Sequence, residues 1–539
     1  MQLSPVLGGT TNSASTTKIK EAQLKRTTFL EEFYNDPFFG TADLNESIAG
    51  AKFTSQAEAF ARLLNRENVF ISGLAGAGKT TVINKFIKYI DAAFDGAFLV
   101  SVTASTGVAA TLFENGRTLH SWAGWTPEIS EKPEFDRRDI TKNTDKVNLM
   151  KYTDILIIDE ISMIPAHLIV RLDAQLKHIR KSELPFGGIQ LVLLGDFLQL
   201  PPVKNRHTNP ELDMGFCINT EAWENANIKS LFLDRLHRAT DTQLKKVIHA
   251  IINGKVDYEI EAMLKRRMGG KELEDPNKVY TNLFTTNASV DKYNLEELSK
   301  IPSTARTFYT KAYGAPDKIK QLLQNSVTPE RLELKVGAVV MLTKNNVGGS
   351  PNLVNGTIGK VTGFAMGSNY PIVQFNNGVR TEIGLVETAL TEMKSEEVLI
   401  NGVLKKYAYP NKVASIMQIP LKLAWAISVH KSQGQSFAGV SADLSNCFTP
   451  GLGYVALTRV SNLDDLVIRG MDKRVYKLDA KSLIASKKTR RDAVLNRRDF
   501  LKNMEMYEDM FLENSINRMI TWDENNGGTE KYLSTFTKF

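Results

Sequence analysis

The chain has 539 residues, more than one hydrophobic core usually organises, so we expect several domains. Hydrophobic residues make up 42% and charged residues 24% of the sequence, which argues against a fibrous or wholly disordered protein. A net charge of +7 permits an anionic partner such as nucleic acid, and two cysteines in unrelated contexts argue against a disulfide framework or a cysteine-based zinc site.

The N-terminal segment, residues 1–45, is predicted to be a flexible tail. Residues 1–30 are rich in Ser and Thr with a single acid, Glu21, a composition that a transit peptide shares but a disordered tail shows more often. No apolar run approaches the length of a membrane span, and the start "MQLSPVLGG" lacks a signal-peptide pattern. We therefore expect a soluble intracellular protein without a membrane partner, in the cytoplasm of a bacterium or phage-infected cell, with nucleus or mitochondrion as alternatives.

A first α/β core is predicted at residues 46–235, where short apolar runs alternate with helical patterns. Runs that are apolar throughout are typical of strands buried on both faces of a parallel sheet. The runs are "NVFISG", "AFLVSVT", "DILIIDE", "IQLVLLGD" and "SLFLD". Residues 125–148 are too polar for this sheet and predict a surface insertion.

The stretch "GLAGAGKT", residues 73–80, matches a P-loop and lies between a predicted strand and a predicted helix. Glycines let the backbone wrap phosphates, Lys79 reaches the terminal phosphates, and Thr80 binds magnesium. The predicted nucleotide ligands in this segment are Gly73, Gly76, Gly78, Lys79, Thr80 and Thr81. The sequence thus predicts ATP and Mg²⁺ as cofactors.

Four other residues have side chains suited to an ATP site. "ILIIDE" closes a buried strand with Asp159, which can hold magnesium, and Glu160, which can orient and deprotonate water. Gln56 has an amide that suits adenine N6 and N7, although an exposed glutamine is an equally good reading. Arg459, in "YVALTRVS", has the guanidinium that a γ-phosphate transition state requires from another lobe, but by itself it indicates only a surface arginine.

The stretch "GDFLQLPPV", residues 195–203, follows the apolar run "IQLVLL". Pro201 and Pro202 cannot continue a strand, so the pattern by itself predicts a tight turn.

A second α/β core is predicted from residues 236–300 and 405–475, with strands in "QIPLKLAWAI", "GVSADL" and "DLVIRG". Between its halves, residues 301–404 alternate β-branched residues with Asn and Gly turns, which predicts a small antiparallel β-barrel. Residues 476–539 are predicted to form a charged helical extension. Its basic cluster could bind phosphates, although a solvated helix face is the commoner reading. The cluster comprises Lys487, Lys488, Arg490, Arg491, Arg497 and Arg498.

An ordered series of motifs spans about residues 50–475: "GLAGAGKT", "VTASTGVAA", "TLHSWAG", "DEISM", "GDFLQLPPV", "AWAISVHKSQGQSF" and "YVALTRVSNLDDL". The series resembles the superfamily 1B DNA helicases, in particular the Pif (petite integration frequency) group, with RecD and Dda as related helicases. The most specific segment is "EISMIPAHLIVRLDAQLKHIR", residues 160–180. The resemblance implies two RecA-like cores and a Src-homology-three-like barrel inserted in the second.

The resemblance also implies roles around the γ-phosphate. Gln199 would sense this phosphate, Arg238 and Arg459 would reach it from the second core, and Gly434 would approach the nucleotide from the opposite wall. The family often has Gln after the first arginine, whereas this chain has Ala239, so Arg238 is the less secure of the two.

For nucleic acid, the resemblance implies single-strand contacts from both cores. Hydroxyls, amides and a lysine bind the backbone without reading sequence, and the rings of His120 and Trp122 would face bases. The implied contacts are Thr103, Ser105, Thr106, His120, Thr286, Asn287, His430, Lys431 and Ser432. The insertion after Trp125 matches the position of the family's strand-separating pin.

The function implied is ATP-dependent 5′-to-3′ translocation on single-stranded DNA and unwinding of forked or tailed duplexes, in DNA replication, repair or recombination. Replication or repair proteins are candidate partners, and we expect a monomer when free. Alternatives are a translocase that remodels complexes without separating strands, an RNA helicase, and a subunit of a recombination nuclease. The last would need its nuclease on another chain, because no nuclease carboxylate cluster with a basic partner is evident.

Overall fold

The structure is a computed structural model that describes most of the chain between residues 56 and 502. The described residues are 56–73, 77–94, 98–110, 113, 116–132, 134–202, 215–233, 241–276, 278, 280–344, 347, 353, 356–400, 403–435 and 437–502. The predicted N-terminal tail, Gly76 and Arg238 therefore lie outside the described residues.

The first core is built on a six-stranded parallel sheet in the order β3-β2-β4-β5-β1-β6. Its strands are β1 (Val69–Gly73), β2 (Val100–Ala104), β3 (Arg117–Thr118), β4 (Ile155–Asp159), β5 (Gln190–Leu194) and β6 (Lys229–Leu233). All five apolar runs that were predicted as strands lie in this sheet. Every residue of β1, β4 and β5 is buried, because helices cover both faces.

Helices of the first core divide between the two faces of the sheet. They are α1 (Gln56–Leu64), α2 (Lys79–Phe94), α3 (Gly107–Ala110), α4 (Leu119–Ala123), α5 (Pro127–Ser130), α6 (Thr144–Tyr152), α7 (Ala166–Arg180) and α8 (Glu221–Asn225). Helices α1 and α2 pack on one face against residues such as Ile157, whereas α4 and α7 pack on the other against residues such as Ile158. Successive strand residues face opposite sides, so each face has its own hydrophobic core.

Helix α7 also holds the polar insertion at residues 125–148. Leu168, Leu172 and Leu176 are buried, as their helical spacing predicts. The buried Arg171 guanidinium donates to Asp139 Oδ2 at 3.3 Å, and Gln175 Oε1 accepts from Trp125 Nε1 at 2.7 Å. The insertion is therefore anchored to α7 through Trp125 and Asp139.

The second core begins with two helices, a strand and a third helix. These are α9 (Thr242–Ile252), α10 (Tyr258–Lys265), β7 (Tyr280–Phe284) and α11 (Asn287–Ser299). Asp241 and Thr286 cap α9 and α11 by accepting backbone N–H groups of the first turn. The chain then leaves the core for the insertion.

The insertion consists mainly of antiparallel strands. Its elements are β8 (Arg306–Tyr309), β9 (Lys311–Gly314), α12 (Pro316–Asn325), β10 (Arg331–Leu334), β11 (Val339–Leu342), β12 (Ile358–Phe364), β13 (Pro371–Phe375), β14 (Arg380–Glu382), β15 (Val386–Ile400), β16 (Val403–Gln418) and β17 (Leu421–Leu423). A five-stranded sheet has the order β14-β13-β12-β11-β17, β16 pairs with β15 and β9, and β10 pairs with β8. The expected boundary between residues 404 and 405 falls inside β16, so the antiparallel region continues to Leu423.

Three strands complete the second core: β18 (Ala426–Ser428), β19 (Gly439–Leu444) and β20 (Leu466–Met471), with α13 (Leu452–Leu457) between the last two. Together with β7 they form a parallel sheet in the order β18-β7-β19-β20. The run "QIPLKLAWAI" is divided, because β17 pairs with the insertion whereas β18 pairs with β7. The α/β fold class, with two parallel cores and an antiparallel insertion in the second, is confirmed.

A final helix, α14 (Ala480–Lys502), follows the second core in sequence and packs against β6 of the first core. In the part of the chain that the structure describes, no helix combines the length and the apolar character needed to cross a membrane.

Candidate active site at the interface of the two cores

Lys79 is the P-loop lysine and the first residue of α2. Its ammonium donates to Gly73 O at 2.8 Å. Burial lowers the pKa of Lys79, and the carboxylates of Asp196, Glu160 and Asp159 oppose that change. The amino group is thus surrounded by the acidic groups expected around a magnesium–nucleotide complex.

The two acids at the end of β4 have different surroundings. Asp159 Oδ1 accepts the Glu160 backbone N–H at 2.8 Å, and burial, with the neighbouring Glu160 charge, raises the pKa of Asp159 to about 7. Glu160 has φ of 53° and ψ of 44°, a left-handed conformation that costs about 1–2 kcal/mol. Its Oε2 accepts a 3.1 Å hydrogen bond from Gln433 Nε2 of the second core. The strained residue is therefore held from the opposite core.

The groups available for a metal ion at this site are oxygens. The Asp159 carboxylate and the Thr80 hydroxyl are hard ligands of the type that Mg²⁺ prefers, and Mg²⁺ normally completes its shell with water and phosphate oxygens. Among the described residues there is no group of three or more His, Cys, Asp or Glu that could hold a metal by themselves. This donor set fits a magnesium ion that arrives with a nucleotide better than a resident metal.

The segment "GDFLQLPP" joins the two cores. Leu198 and Leu200 belong to the first core in sequence, yet both are buried in the hydrophobic cluster of the second core. Gly451, just before α13, has φ of +91°, and a Cβ there would lie 2.9 Å from Gln199 O. The backbones of the two cores therefore meet at this segment, with no room for a side chain at position 451.

Asp196 organises the same segment. Its Oδ1 accepts the Leu198 backbone N–H at 3.0 Å, and its Oδ2 accepts the Tyr454 hydroxyl at 3.0 Å. Gln199 is buried, and its Nε2 makes only a long 3.4 Å contact with Asp196 Oδ2. Gln199 Oε1 has no hydrogen-bond partner among the described residues. The Gln199 amide is thus weakly held and remains a predicted γ-phosphate sensor.

Arg459 is fully enclosed on the second-core side of the site rather than exposed. Its guanidinium donates to Ser432 O at 3.0 Å and to Gln435 O at 2.9 Å, and so holds the segment that contains Gly434. Burial raises the pKa of Glu160, whereas the positive charges of Lys79 and Arg459 oppose that rise. The two cations and Glu160 are therefore close enough to interact electrostatically across the interface.

Gln56, the first residue of α1, is buried beside the P-loop. Its Nε2 donates to Ala77 O at 3.0 Å, and its Oε1 has no partner within the described part of the chain. The structure thus rejects the exposed-glutamine alternative and leaves the predicted contact to adenine untested.

Three expected nucleic-acid contacts are corrected. Thr103 is fully buried and its hydroxyl donates to Ile157 O at 2.8 Å, and Ser432 is fully buried and donates to Val429 O at 2.7 Å. Trp122 lies in the hydrophobic core and cannot present its ring to a base. Motif membership does not reveal which face of the backbone a side chain occupies, and these side chains face inward.

Among the other expected nucleic-acid residues, Ser105 is partly buried, and its enclosed hydroxyl has no hydrogen-bond partner within the described residues. The rest lie at the ends of elements and reach the surface: Thr106, His120, Thr286, Asn287, His430 and Lys431. The His430 ring stacks on Phe448, with centroids 6.1 Å apart and an interplanar angle of 24°, and Phe448 is half-exposed. A ring pair of this kind can support a base, so the contacts of both cores remain predictions.

Sequence reasoning missed three residues at this interface and one beside Lys431. Asp196, Gln433 and Tyr454 lie within the quoted motifs, but only their cross-core contacts reveal a role. Lys422, on β17, lies against Lys431, and burial together with the Lys431 charge lowers the pKa of Lys422 to about 7. Two adjacent lysines beside a predicted single-strand contact suit a phosphate group.

Two parallel α/β cores with a P-loop and a hydrolytic acid at their interface define a nucleoside triphosphatase of the two-core helicase class. Residues 53–260 match the PIF1-like helicase family, and residues 319–364 match the 2B domain of DNA helicase Pif1. The chain belongs to the PIF1-like helicase family.

Individual relatives agree with this assignment. The chain is 34% identical over 483 residues to the ATP-dependent DNA helicase Pif1 of Psychrobacter, a match covering 79% of this chain and 69% of the relative. It is 34% identical over 434 residues to the ATP-dependent DNA helicase PIF1 of Danio rerio, covering 80% and 63%. The structure resembles the Bacteroides Pif1 helicase in complex with ADP-AlF3 and single-stranded DNA, with a TM-score of 0.67, 27% identity, and coverage of 81% and 98%.

Proposed function

We propose that this protein is an ATP-dependent DNA helicase that translocates along single-stranded DNA and separates duplex strands. The observation that carries the proposal is the pair of buried contacts that joins the P-loop core to the second core, Glu160 with Gln433 and Asp196 with Tyr454. A nucleotide bound at this interface touches both cores, so its hydrolysis can change how they dock. Relatives named as ATP-dependent DNA helicases support the reaction and the substrate.

The first core supplies the groups for ATP hydrolysis. Lys79 binds the terminal phosphates, and Glu160 orients the attacking water and accepts its proton. The raised pKa of buried Glu160 makes the carboxylate a better base near neutral pH. Asp159 and Thr80 hold Mg²⁺, which when bound neutralises charge on the phosphates.

The second core responds to the γ-phosphate. Arg459 gains a phosphate contact in the closed state by exchanging one of its backbone carbonyl partners, and Gln199 turns its weakly held amide to the same phosphate. Arg238, outside the described residues, is proposed to act with Arg459. Because these contacts disappear with the γ-phosphate, hydrolysis weakens the closed state and the cores separate.

Alternating closure becomes movement because both cores hold the same strand. Thr106 and His120 belong to the first core and Thr286 and His430 to the second, so a single strand along the interface would contact both. We propose movement from 5′ to 3′, with the insertion at residues 125–148 as the strand-separating pin. Its anchorage to Arg171 and Gln175 lets it resist the force of an advancing duplex.

The test is unwinding of duplexes with a 5′ or a 3′ single-stranded tail, with and without ATP and Mg²⁺. We expect separation only of the 5′-tailed duplex and only with both cofactors. Lys79→Ala and Glu160→Gln should abolish it while single-strand binding persists, and Glu183→Gln, at an exposed carboxylate of the same core, should behave like the parent.

Other outcomes identify the competing functions. ATP-driven movement without strand separation would indicate a remodelling translocase, and stimulation of hydrolysis by RNA but not DNA would indicate an RNA helicase. Normal unwinding by either Lys79→Ala or Glu160→Gln would refute the proposed site.

A further inference from the structure

Helix α14 follows the second core in sequence but is bound to the first core. Asn496 Nδ2 donates to Ser230 O of β6 at 2.9 Å, and Lys488 Nζ donates to Ile218 O at 3.0 Å. The Arg490 guanidinium lies over the Phe232 ring, 4.7 Å from its centroid. The basic stretch of this helix is therefore only partly a solvated face.

Helix α14 also contacts α1, through a buried network of charges. Arg497 Nη1 donates to Glu58 Oε2 at 2.6 Å, and these two side chains are 4% and 2% exposed. Glu58 Oε1 accepts from Arg62 Nε at 3.2 Å, and Arg62 also pairs with Glu67 at 2.8 Å. Two acids and two arginines thus pair with one another. Glu58, Arg62 and Arg497 are buried, so each of these three charges needs its partners.

Backbone and ring contacts reinforce the same junction. Arg62 Nη2 donates to Asn496 O at 2.5 Å, and the Arg62 guanidinium lies 5.0 Å from the centroid of the Phe500 ring. The last two turns of α14 therefore pack against α1 through Asn496, Arg497 and Phe500. Removal of one arginine would leave the helix α1 carboxylate short of a partner and loosen this packing.

Helix α1 matters because it begins with Gln56. Glu58 lies only two residues further on, in the same helical turn. Gln56 Nε2 is held by Ala77 O of the P-loop segment, while the buried Gln56 Oε1 has no partner among the described residues. An acceptor in that position suits the exocyclic amine of adenine, and it would meet a carbonyl oxygen in guanine.

We propose that α14 sets adenine selectivity at the ATP site, with Arg497 as a positioning residue that acts through Glu58 to hold α1 and thereby Gln56. The ligand class selected is adenine nucleotides over guanine nucleotides. The inference rests on the proposed ATP site and deepens it by giving a role to a helix beyond the second core.

The test compares full-length variants by steady-state hydrolysis of ATP and GTP at saturating single-stranded DNA. For Arg497→Met we expect the KM for ATP to rise about five- to tenfold, kcat to change less than about twofold, and the ratio of kcat/KM for ATP over GTP to fall toward one. Arg497→Lys keeps the charge and should restore most of the selectivity. Arg498→Met, at an exposed neighbour, should match the parent.

A double-mutant comparison distinguishes positioning from general destabilisation. Gln56→Ala should lose selectivity to the same extent as Arg497→Met, and the double variant should lose no more than either, because both act through one contact. If Arg497→Met does not fold, Glu58→Gln, which keeps the side-chain shape, carries the same expectation.

Two results would overturn the inference: a folded Arg497→Met that keeps the parent ratio of ATP over GTP, or losses that multiply independently in the double variant. Failure of the ATP site itself would look different. A parent protein that hydrolyses no ATP would refute the proposed function, whereas an active parent with unchanged selectivity in Arg497→Met would refute only the role of α14.

Discussion

The hydroxyl of Tyr454 in the second core donates a 3.0 Å hydrogen bond to Asp196 Oδ2 in the first core, and both side chains are buried. Burial and the adjacent Asp196 carboxylate raise the pKa of Tyr454, so the phenol stays protonated and remains a donor. Asp196 belongs to the segment that carries Gln199, and Tyr454 lies on α13, shortly before Arg459. The bond thus links the two proposed γ-phosphate contacts.

We predict that Tyr454→Phe weakens the link between the two cores, so that ATP hydrolysis drives strand separation less efficiently. The change deprives the buried Asp196 carboxylate of a donor, which costs about 1–3 kcal/mol of stability. Since the docking of Gln199 and Arg459 depends on this bond, kcat should fall about tenfold, the KM for ATP should change less than about twofold, and unwinding should fall more than hydrolysis.

The matched control is Tyr476→Phe, because Tyr476 is half-buried in the same core and its hydroxyl makes only a 4.0 Å contact with Met471 Sδ. Paired assays of DNA-stimulated hydrolysis and unwinding give the measurement. A Tyr454→Phe protein with the parent's ratio of strands separated to ATP consumed would show that the bond is only structural.

Arg459 variants should affect turnover more than ATP binding. Arg459→Lys keeps a positive charge but lacks the planar fork that spans a phosphate and backbone carbonyls, so we expect kcat to fall about 10²- to 10³-fold. Equilibrium ATP affinity should fall less than about fivefold. Arg459→Ala should lose as much activity and also melt at a lower temperature, because Ser432 O and Gln435 O lose a donor.

The rate of hydrolysis is measured in single turnovers of each Arg459 variant. ATP affinity is measured with the same Arg459 substitutions in a Glu160→Gln protein, which we expect to bind ATP without hydrolysing it. Weaker ATP binding with normal turnover would contradict a transition-state role for Arg459.

We predict that Gln199→Ala keeps the basal rate of ATP hydrolysis but loses most of its stimulation by single-stranded DNA. Leu198 and Leu200 remain to hold the segment in the second core, so the variant should fold. Without the amide, single-stranded DNA should raise the hydrolysis rate less than about threefold, and unwinding should be lost. Gln374→Ala, in the insertion, serves as control. If DNA stimulates hydrolysis by Gln199→Ala as strongly as in the parent, and the variant unwinds normally, Gln199 is not the γ-phosphate sensor.

Single-strand affinity should depend on pH through Lys422. A lysine with a pKa of about 7 is charged below that pH and neutral above it. A bound phosphate favours the charged form, so binding above pH 7 takes up a proton and affinity falls as pH rises, by at most about tenfold per pH unit. Burial lowers the pKa of both His120 and His430, so both rings are neutral above pH 7 and do not contribute to this pH dependence.

The measurement is fluorescence titration of labelled single-stranded DNA between pH 7 and 8.5 at one salt concentration. Lys422→Met should flatten the profile, whereas Lys360→Met, at an exposed lysine of the same sheet, should keep it. A profile that is equally steep in Lys422→Met would exclude Lys422 as the titrating group.

Chemistry that depends on neighbours along the chain could be predicted from the sequence. The P-loop at Lys79 and the acids at Asp159 and Glu160 follow from local patterns, because each is a strand end with the next element attached. The buried runs and the leucine spacing of α7 likewise specified their own elements. Side-chain direction was less certain: Thr103, Trp122 and Ser432 lie in matching motifs but face inward.

Contacts between distant residues depended on how the cores dock. Asp196 and Tyr454 are 258 residues apart, Glu160 and Gln433 are 273 apart, and Glu58 and Arg497 are 439 apart. No local periodicity encodes such pairs, because they form only when separate hydrophobic cores bring their edges together. The ordered motifs determined the family and the chemistry of ATP, whereas the tertiary structure decided which side chains join the cores and placed α14 against α1, the helix that begins with Gln56.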